Sequence, residues 1–163
     1  MPEQVPKQVP DQVHKQVPSV HKDNPFFQAR VENSRTRVVK IVFPKDTNNF
    51  DTLFGGTALQ WMDEVAAIAS MRFSRQQTVT ISLDAITFKK AIPSANFVEL
   101  VAEVVEVGRT SMKIQVDVYL EPMDQDIRIK AIHGCFTFVA INAERQPIAI
   151  EWDKPLPEAI RHD

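Results

Sequence analysis

The chain has 163 residues, a length typical of one globular domain. Apolar residues make up 44% and charged residues 25%, which excludes a chain that is disordered throughout. The 19 basic and 21 acidic side chains leave a net charge of −2, which argues against a nucleic-acid partner. The single cysteine, Cys135, excludes an internal disulfide framework and a cysteine-based zinc site. We find neither a secretory signal nor the about 20 apolar residues that cross a bilayer, and expect a cytoplasmic protein with no membrane partner.

The first 24 residues differ from the rest of the chain in composition. From Gln4 they hold four tandem copies of a Gln-Val-Pro-x tetrapeptide, with His14 in place of the proline in the third copy. Prolines remove backbone donors and clash with the preceding helical turn, so the repeats favour an extended chain over a helix. We therefore expect residues 1–24 to be a disordered tail, residues 25–150 to form one domain and residues 151–163 to be a C-terminal extension.

Hydrophobic periodicity predicts one helix and five strands. The helix runs from about Thr57 to Phe73 and is apolar around most of its circumference, so we expect burial on nearly all sides. The strands are predicted over Thr36–Phe43, Thr78–Phe88, Asn96–Val107, Thr110–Leu120 and Ile127–Ile141. The second strand switches phase at Ile86, which predicts a bulge or a bend. A strand, a helix and then four strands favour an α+β architecture with one antiparallel sheet around the central helix.

Asp63 lies in the middle of the predicted helix. Its neighbours three and four positions away are mostly apolar or small, and include Ala66 and Ala67. A carboxylate in such a place must be paired, exposed or functional, because an unpaired buried charge is prohibitive. The adjacent Glu64 points about 100° around the helix, so the two carboxylates do not face each other. We assign Glu64 a structural or solvent-facing role.

Gly55 and Gly56 stand at the predicted helix start. Glycines allow close approach of a ligand, and the first N–H groups of a helix have no partner within it. Such donors can bind an anion or the oxygen of a tetrahedral intermediate. The segment lacks the spacing and the lysine of a Walker-type phosphate loop.

Other chemistries lack the residues that they need. No histidine falls near the helix, and His133 reads as a half-buried strand residue. Asp124 and Asp126 lie in a turn where Asp is common, so we predict no metal site. Cys135 reads as a small core residue.

Several segments together resemble the hot-dog-fold acyl-CoA thioesterase family, in matching order and at matching spacings from about Thr36 to Ile150. In chain order they are Phe43-Pro44-Lys45-Asp46-Thr47-Asn48, Leu53-Phe54-Gly55-Gly56, Met62-Asp63-Glu64-Val65-Ala66-Ala67, Val79-Thr80, Asp84-x-x-x-Phe88, Pro93, Gly108-Arg109-Thr110-Ser111-Met112 and Phe136-Thr137-Phe138-Val139-Ala140. The resemblance implies a hot-dog fold, in which a five-stranded antiparallel sheet wraps one long helix. It also implies dimers that join edge to edge, often as trimers of dimers, with the active site at the dimer interface.

The activity that the resemblance implies is hydrolysis of acyl-CoA to a free acid and CoA, with CoA as part of the substrate and no separate cofactor. In this family the helix Asp, here Asp63, is a general base or a nucleophile. Asn48 is similar to an asparagine that polarises the thioester or positions water, although some relatives carry that asparagine where this chain has Thr52. Thr80 matches an assisting hydroxyl, and Gly56 or Gly55 would donate a backbone N–H to the oxyanion.

The CoA phosphates are expected to meet cationic or hydroxyl groups. The candidates for substrate binding are Arg109, Thr110, Ser111, Lys89, Lys90, Phe54 and Gly55. The alternative to CoA binding is that Arg109 lies in a solvated turn and that the two lysines form the charged end of a strand, with no functional role. Two other functions remain open: a non-catalytic protein that binds acyl-CoA or a nucleotide, and a hydroxyacyl-thioester dehydratase, which would ordinarily use a histidine near the helix.

Overall fold

A computed structural model describes residues 23–155. The predicted tail, except for its last two residues, and the second half of the predicted C-terminal extension lie outside the described residues. No helix of the described part is both long and apolar enough to cross a membrane.

Five strands form one antiparallel sheet, as predicted. They are β1 (Thr36–Ile41), β2 (Gln77–Phe88), β3 (Phe97–Val107), β4 (Ser111–Glu121) and β5 (Ile129–Ile141). Their order across the sheet is β1-β3-β4-β5-β2, so β1 and β2 are the two edges. The alternation of buried and exposed residues is clearest in β4, where the even-numbered side chains from Met112 to Leu120 face the core.

Two helices accompany the sheet, α1 (Pro25–Ser34) and α2 (Gly55–Ser74). The central helix α2 packs on the inner face of the sheet and buries Met62, Val65 and Phe73. Its burial on nearly all sides is only partly confirmed, because Ile68 and Met71 are 40% and 42% exposed in the single chain.

The helix α1 was not predicted from the sequence. Asn24 caps it by accepting hydrogen bonds from the N–H groups of Phe26 and Phe27, at 2.9 and 3.4 Å. Phe27 then packs edge-on against Phe73 and Trp152, which ties α1 to the end of α2 and to the chain after β5. Pro25 lies at the first helical position, directly after the predicted tail, and a proline there marks a loop as readily as a helix start.

The edge strand β2 contains two irregularities. The register shifts between Asp84 and Thr87, where Ala85 has a φ of 49°, and this confirms the predicted bulge. A second shift lies between Thr80 and Ser82, which the sequence pattern did not reveal. Because Thr80 lies opposite the buried Phe138, the strand before this second shift presents Thr80 to α2.

Candidate active site

Asp63 and Thr80 meet between α2 and β2. The Thr80 hydroxyl donates a hydrogen bond of 2.8 Å to Oδ1 of Asp63, and both residues are half-buried. The helix brings Asp63 to its sheet-facing side among small residues, and the edge strand brings Thr80 from 17 positions further along the chain. Two candidates from the sequence are thus in direct contact.

The Asp63 carboxylate keeps one oxygen available. Within residues 23–155, Thr80 is its only hydrogen-bond partner. Oδ2 therefore has unused acceptor capacity in a half-buried place, where a water molecule or a substrate group can bind. The adjacent Glu64 is exposed and interacts with Gln60 and Lys40 at 3.0 and 3.9 Å, which agrees with its predicted structural role.

The start of α2 offers free backbone donors. Phe54 is the N-cap residue, it provides no side-chain cap, and the first helical hydrogen bond is from Ala58 N to the Phe54 carbonyl at 3.0 Å. In the described part of the chain, the N–H groups of Gly55 and Gly56 have no acceptor. They lie at the positive end of a 20-residue helix, which favours an oxyanion there.

Two aromatic rings flank these glycines. A Cβ on Gly56 would lie 2.9 Å from the Phe54 ring, and a Cβ on Gly55 would lie 3.6 Å from the Phe88 ring. Phe54 and Phe88 are both more than half exposed. The free N–H groups of Gly55 and Gly56 therefore lie between two aromatic side chains at a place that solvent can reach. Gly56 in particular has no room for a side chain unless the Phe54 ring moves.

Asn48 and Thr52, the two alternatives for the assisting polar group, are bonded to each other. The Asn48 amide donates to the Thr52 hydroxyl at 3.1 Å, and its oxygen accepts from the Phe50 and Thr52 N–H groups at 2.9 and 3.3 Å. Both therefore shape the loop that leads into the glycine end of α2. Neither makes a hydrogen bond to Asp63 within the described chain.

The candidate CoA-binding groups fall at two separate places. The turn that contains Arg109, Thr110 and Ser111 lies near the start of β2, since the Thr110 carbonyl accepts from Ala140 N and Ala140 is opposite Thr78. Lys89 and Lys90 follow the other end of β2, where the Phe88 ring would lie 3.6 Å from a Cβ on Gly55. The 12 residues of β2 separate the two places by about 35 Å. One chain alone does not bring the two groups together.

A second carboxylate, Asp117, lies on the opposite face of the sheet. Its oxygens interact with His133 Nδ1 at 2.6 Å, Lys130 Nζ at 2.9 Å and Gln115 Nε2 at 3.2 Å. Burial by itself would raise the pKa of the Asp117 carboxyl, but the hydrogen bonds from His133 and Lys130 outweigh it and hold that pKa below its usual value.

The histidine required by a dehydratase is not beside the helix in this part of the chain. His133 is half-buried, as expected, but it faces Asp117 on the outer side of the sheet. Cys135 lies on the same outer side, only partly buried, so its assignment to the core is wrong. Burial raises the pKa of the Cys135 thiol, which makes it a poor nucleophile. Residues 23–155 contain no group of three or more His, Cys, Asp or Glu side chains that could hold a metal.

Sequence reasoning missed Ser70 and Thr78, whose hydroxyl oxygens lie 2.6 Å apart beside the Asp63 pair. Serine and threonine are common in both helices and strands. No pattern of spacing signals that two of them will meet.

Comparisons with known proteins give one consistent result. Residues 50–127 match the family model of the thioesterase superfamily. A Bacillus subtilis protein named "uncharacterized acyl-CoA thioester hydrolase YkhA" is 38% identical over 117 residues, which are 71% of this chain and 68% of that protein.

Solved structures of acyl-CoA hydrolases are similar in fold. The Staphylococcus aureus acyl-CoA hydrolase, solved with butyryl-CoA and CoA, has a TM-score of 0.72 and 32% identity, and the match covers 78% of both chains. Variants of that enzyme have an Asp, an Asn or a Thr replaced with Ala, and the Asn variant contains CoA. A hexameric acyl-CoA thioesterase has a TM-score of 0.73 and 34% identity, over 78% of this chain and 82% of that one.

Proposed function

We propose, since the chain belongs to the acyl-CoA thioester hydrolase family of the thioesterase superfamily, that Asp63 is the residue with which it hydrolyses acyl-CoA to a free acid and CoA. One observation carries this assignment: Thr80 holds one oxygen of the Asp63 carboxylate and leaves the other without a partner in the described chain. A carboxylate fixed in this way can act as a general base towards water or as a nucleophile.

The S. aureus variants support the choice of residues. The Asn, Asp and Thr replaced in that enzyme follow one another in the same order and with the same separations as Asn48, Asp63 and Thr80. Replacement of a residue by Ala in a series of structures is how catalytic and binding groups are tested. The coincidence of all three positions favours a shared set of functional groups.

In the reaction that we propose, the free Asp63 oxygen accepts a proton as the oxygen of a water molecule attacks the thioester carbon. The carbonyl oxygen becomes negative and accepts hydrogen bonds from the N–H groups of Gly55 and Gly56. The C–S bond then breaks, and the proton passes to the leaving sulfur to give CoA. Because a thiol is far more acidic than an amine, its departure needs no strong general acid.

The site is proposed to be shared between two copies of the chain. About 10 Å of helix rise separates Gly56 from Asp63, which is long for two groups that act on one carbonyl. The edge strand β2 pairs only with β5 in the described chain, and its Val79, Ile81 and Leu83 are exposed. A second copy paired antiparallel along this edge would cover them.

Such pairing would also bring the two candidate CoA-binding places together. An antiparallel partner sets the end of its β2 beside the start of this one, so its Lys89 and Lys90 would approach the turn at Arg109. CoA carries phosphates that both groups can bind. The hexameric relative supports further assembly into a trimer of dimers.

The test is release of free CoA from acyl-CoAs of short to long chain, followed by chromatography, for the native chain and for Asp63→Ala. We expect release from the native chain, its loss in the variant and retention of CoA binding by calorimetry in both. Release that is unchanged in the variant would overturn the assignment of Asp63. Binding of CoA without release from any substrate would instead indicate a non-catalytic acyl-CoA-binding protein.

A further inference from the structure

A second side-chain hydrogen bond, in addition to the one between Asp63 and Thr80, connects α2 to β2, and it joins two hydroxyl groups. Ser70 and Thr78 lie with their hydroxyl oxygens 2.6 Å apart, and Ser70 has no exposed surface. Ser70 is seven residues after Asp63 and therefore lies on the same side of the helix, two turns further along. Thr78 is two residues before Thr80 and shares its face of the strand.

The direction of this hydrogen bond follows from the number of protons. Ser70 Oγ also lies 2.8 Å from the Ala67 carbonyl, which can only accept. The one hydroxyl proton of Ser70 is therefore donated to Ala67, and Thr78 donates its own proton to Ser70. The result is a directed chain from the strand through Ser70 into the helix backbone.

The strand needs such an anchor at this point. As an edge strand, β2 is held by backbone hydrogen bonds on one side only within the described part of the chain. The register shift that begins directly after Thr80 interrupts even this support. The orientation of Thr80 towards Asp63 thus depends on how the four residues from Gln77 to Thr80 sit against α2.

We propose that Ser70 is a positioning residue, which acts through Thr78 to hold the Thr80 hydroxyl against Asp63. Ser70 touches none of the reacting atoms. The inference rests on the proposed role of Asp63 and Thr80 in hydrolysis.

The first test uses single variants at the two ends of the bond. Ser70→Ala and Thr78→Val are each expected to lower kcat about 10-fold with KM within about twofold, because the acyl-CoA contacts remain while the base is displaced. Thr78→Ser retains the hydroxyl and is expected to keep kcat near native. The pair Thr78→Val and Thr78→Ser gives an answer even if Ser70→Ala does not fold.

The decisive test repeats the change in a chain that lacks the Thr80 hydroxyl. If Ser70 acts only through Thr80, Ser70→Ala will lower kcat in the native chain but will have no further effect in a Thr80→Val background. A residue that merely supports the fold would lower kcat by the same factor in both backgrounds. That equal loss would overturn the inference, as would a native kcat in both Ser70→Ala and Thr78→Val.

Ser74 supplies the matched control. It is one helical turn after Ser70 and buried, but among residues 23–155 its hydroxyl bonds only to the Ser70 carbonyl and within the turn at Gln76. Ser74→Ala is expected to lower the melting temperature while leaving kcat unchanged.

The two proposals fail differently. Unchanged CoA release in Asp63→Ala would overturn both. A native kcat in Thr80→Val together with lost release in Asp63→Ala would remove Thr80 from the site and overturn only the positioning role. A reduced kcat in Thr80→Val together with additive effects of Ser70→Ala would overturn only the positioning role.

Discussion

Two aspartates on opposite faces of the sheet have contrasting surroundings, and the contrast bears on the role that we propose for Asp63. Asp117 is 8% exposed and has three side-chain partners, His133, Lys130 and Gln115. Asp63 is more exposed and, within the described residues, has one side-chain partner, Thr80. The Asp117 cluster resembles an acid–base dyad, yet both of its oxygens are occupied. Free acceptor capacity, rather than burial or the presence of a histidine, marks the carboxylate that can do chemistry.

If the active site combines Asp63 of one copy with Asn48 of a second copy, mixing two inactive variants should restore activity. We expect Asp63→Ala and Asn48→Ala each to be nearly inactive alone. Unfolded together and refolded as mixed dimers, they should recover about a quarter of native activity, because half of the dimers are mixed and each has one intact site. The measurement is CoA release before and after mixing. No recovery would place Asp63 and Asn48 in one chain's own site.

Removal of the Thr80 hydroxyl, which donates to Asp63, should have a smaller effect. Thr80→Val keeps the shape of the side chain but deletes the donor, and we expect kcat to fall about 10- to 100-fold. The melting temperature should change little, because Asp63 can turn towards water. Steady-state kinetics at saturating acyl-CoA will show the loss, with Thr80→Ser as the variant that restores it.

At Asp117 the expected effect is on stability alone. Asp117→Asn removes the negative charge and turns one of the two acceptor oxygens into an NH2 donor, so either Lys130 or His133 loses its acceptor. The change should cost about 1–3 kcal/mol in urea unfolding at pH 7 while kcat stays native. The pKa of the folded Asp117 carboxyl lies below its unfolded value of 3.8, so its stabilisation is fully present above about pH 4. The stability gap between native chain and variant should therefore close as the pH falls through the lower, folded pKa.

The smallest effect is expected at Cys135 on the same outer face. Burial raises the pKa of its thiol, so little thiolate forms at pH 7 and alkylation should be slower than for a free thiol. Cys135→Ser should leave CoA release unchanged. A large loss of activity would mean that the outer face takes part in the reaction.

Much of the fold follows from local patterns in the sequence. The alternation in β4 and the apolar run of α2 predict the sheet and its central helix, because both periods arise from burial of one face. The helix α1 escaped because Pro25 marks a helix start as readily as a loop. The register shift after Thr80 escaped because Val79, Ile81 and Leu83 keep their two-residue spacing across it.

The site was only partly predictable. Asp63 stands out as a mid-helix carboxylate among alanines, whereas Thr80 and Asn48 were found only through the family resemblance. The contact between Ser70 and Thr78 depends on how helix and strand cross, which sequence spacing does not encode. The loop structure does not distinguish Asn48 from Thr52 as the assisting polar group, because the two side chains are hydrogen-bonded to each other.

The most direct test makes the same chemical change at both carboxylates and measures CoA release from one acyl-CoA. Asp63→Asn and Asp117→Asn each remove one negative charge and preserve size. We expect a loss of kcat of about 1,000-fold or more at Asp63 with nearly native stability, and a native kcat with reduced stability at Asp117. A native kcat in Asp63→Asn, or a comparable loss in Asp117→Asn, would contradict this expectation.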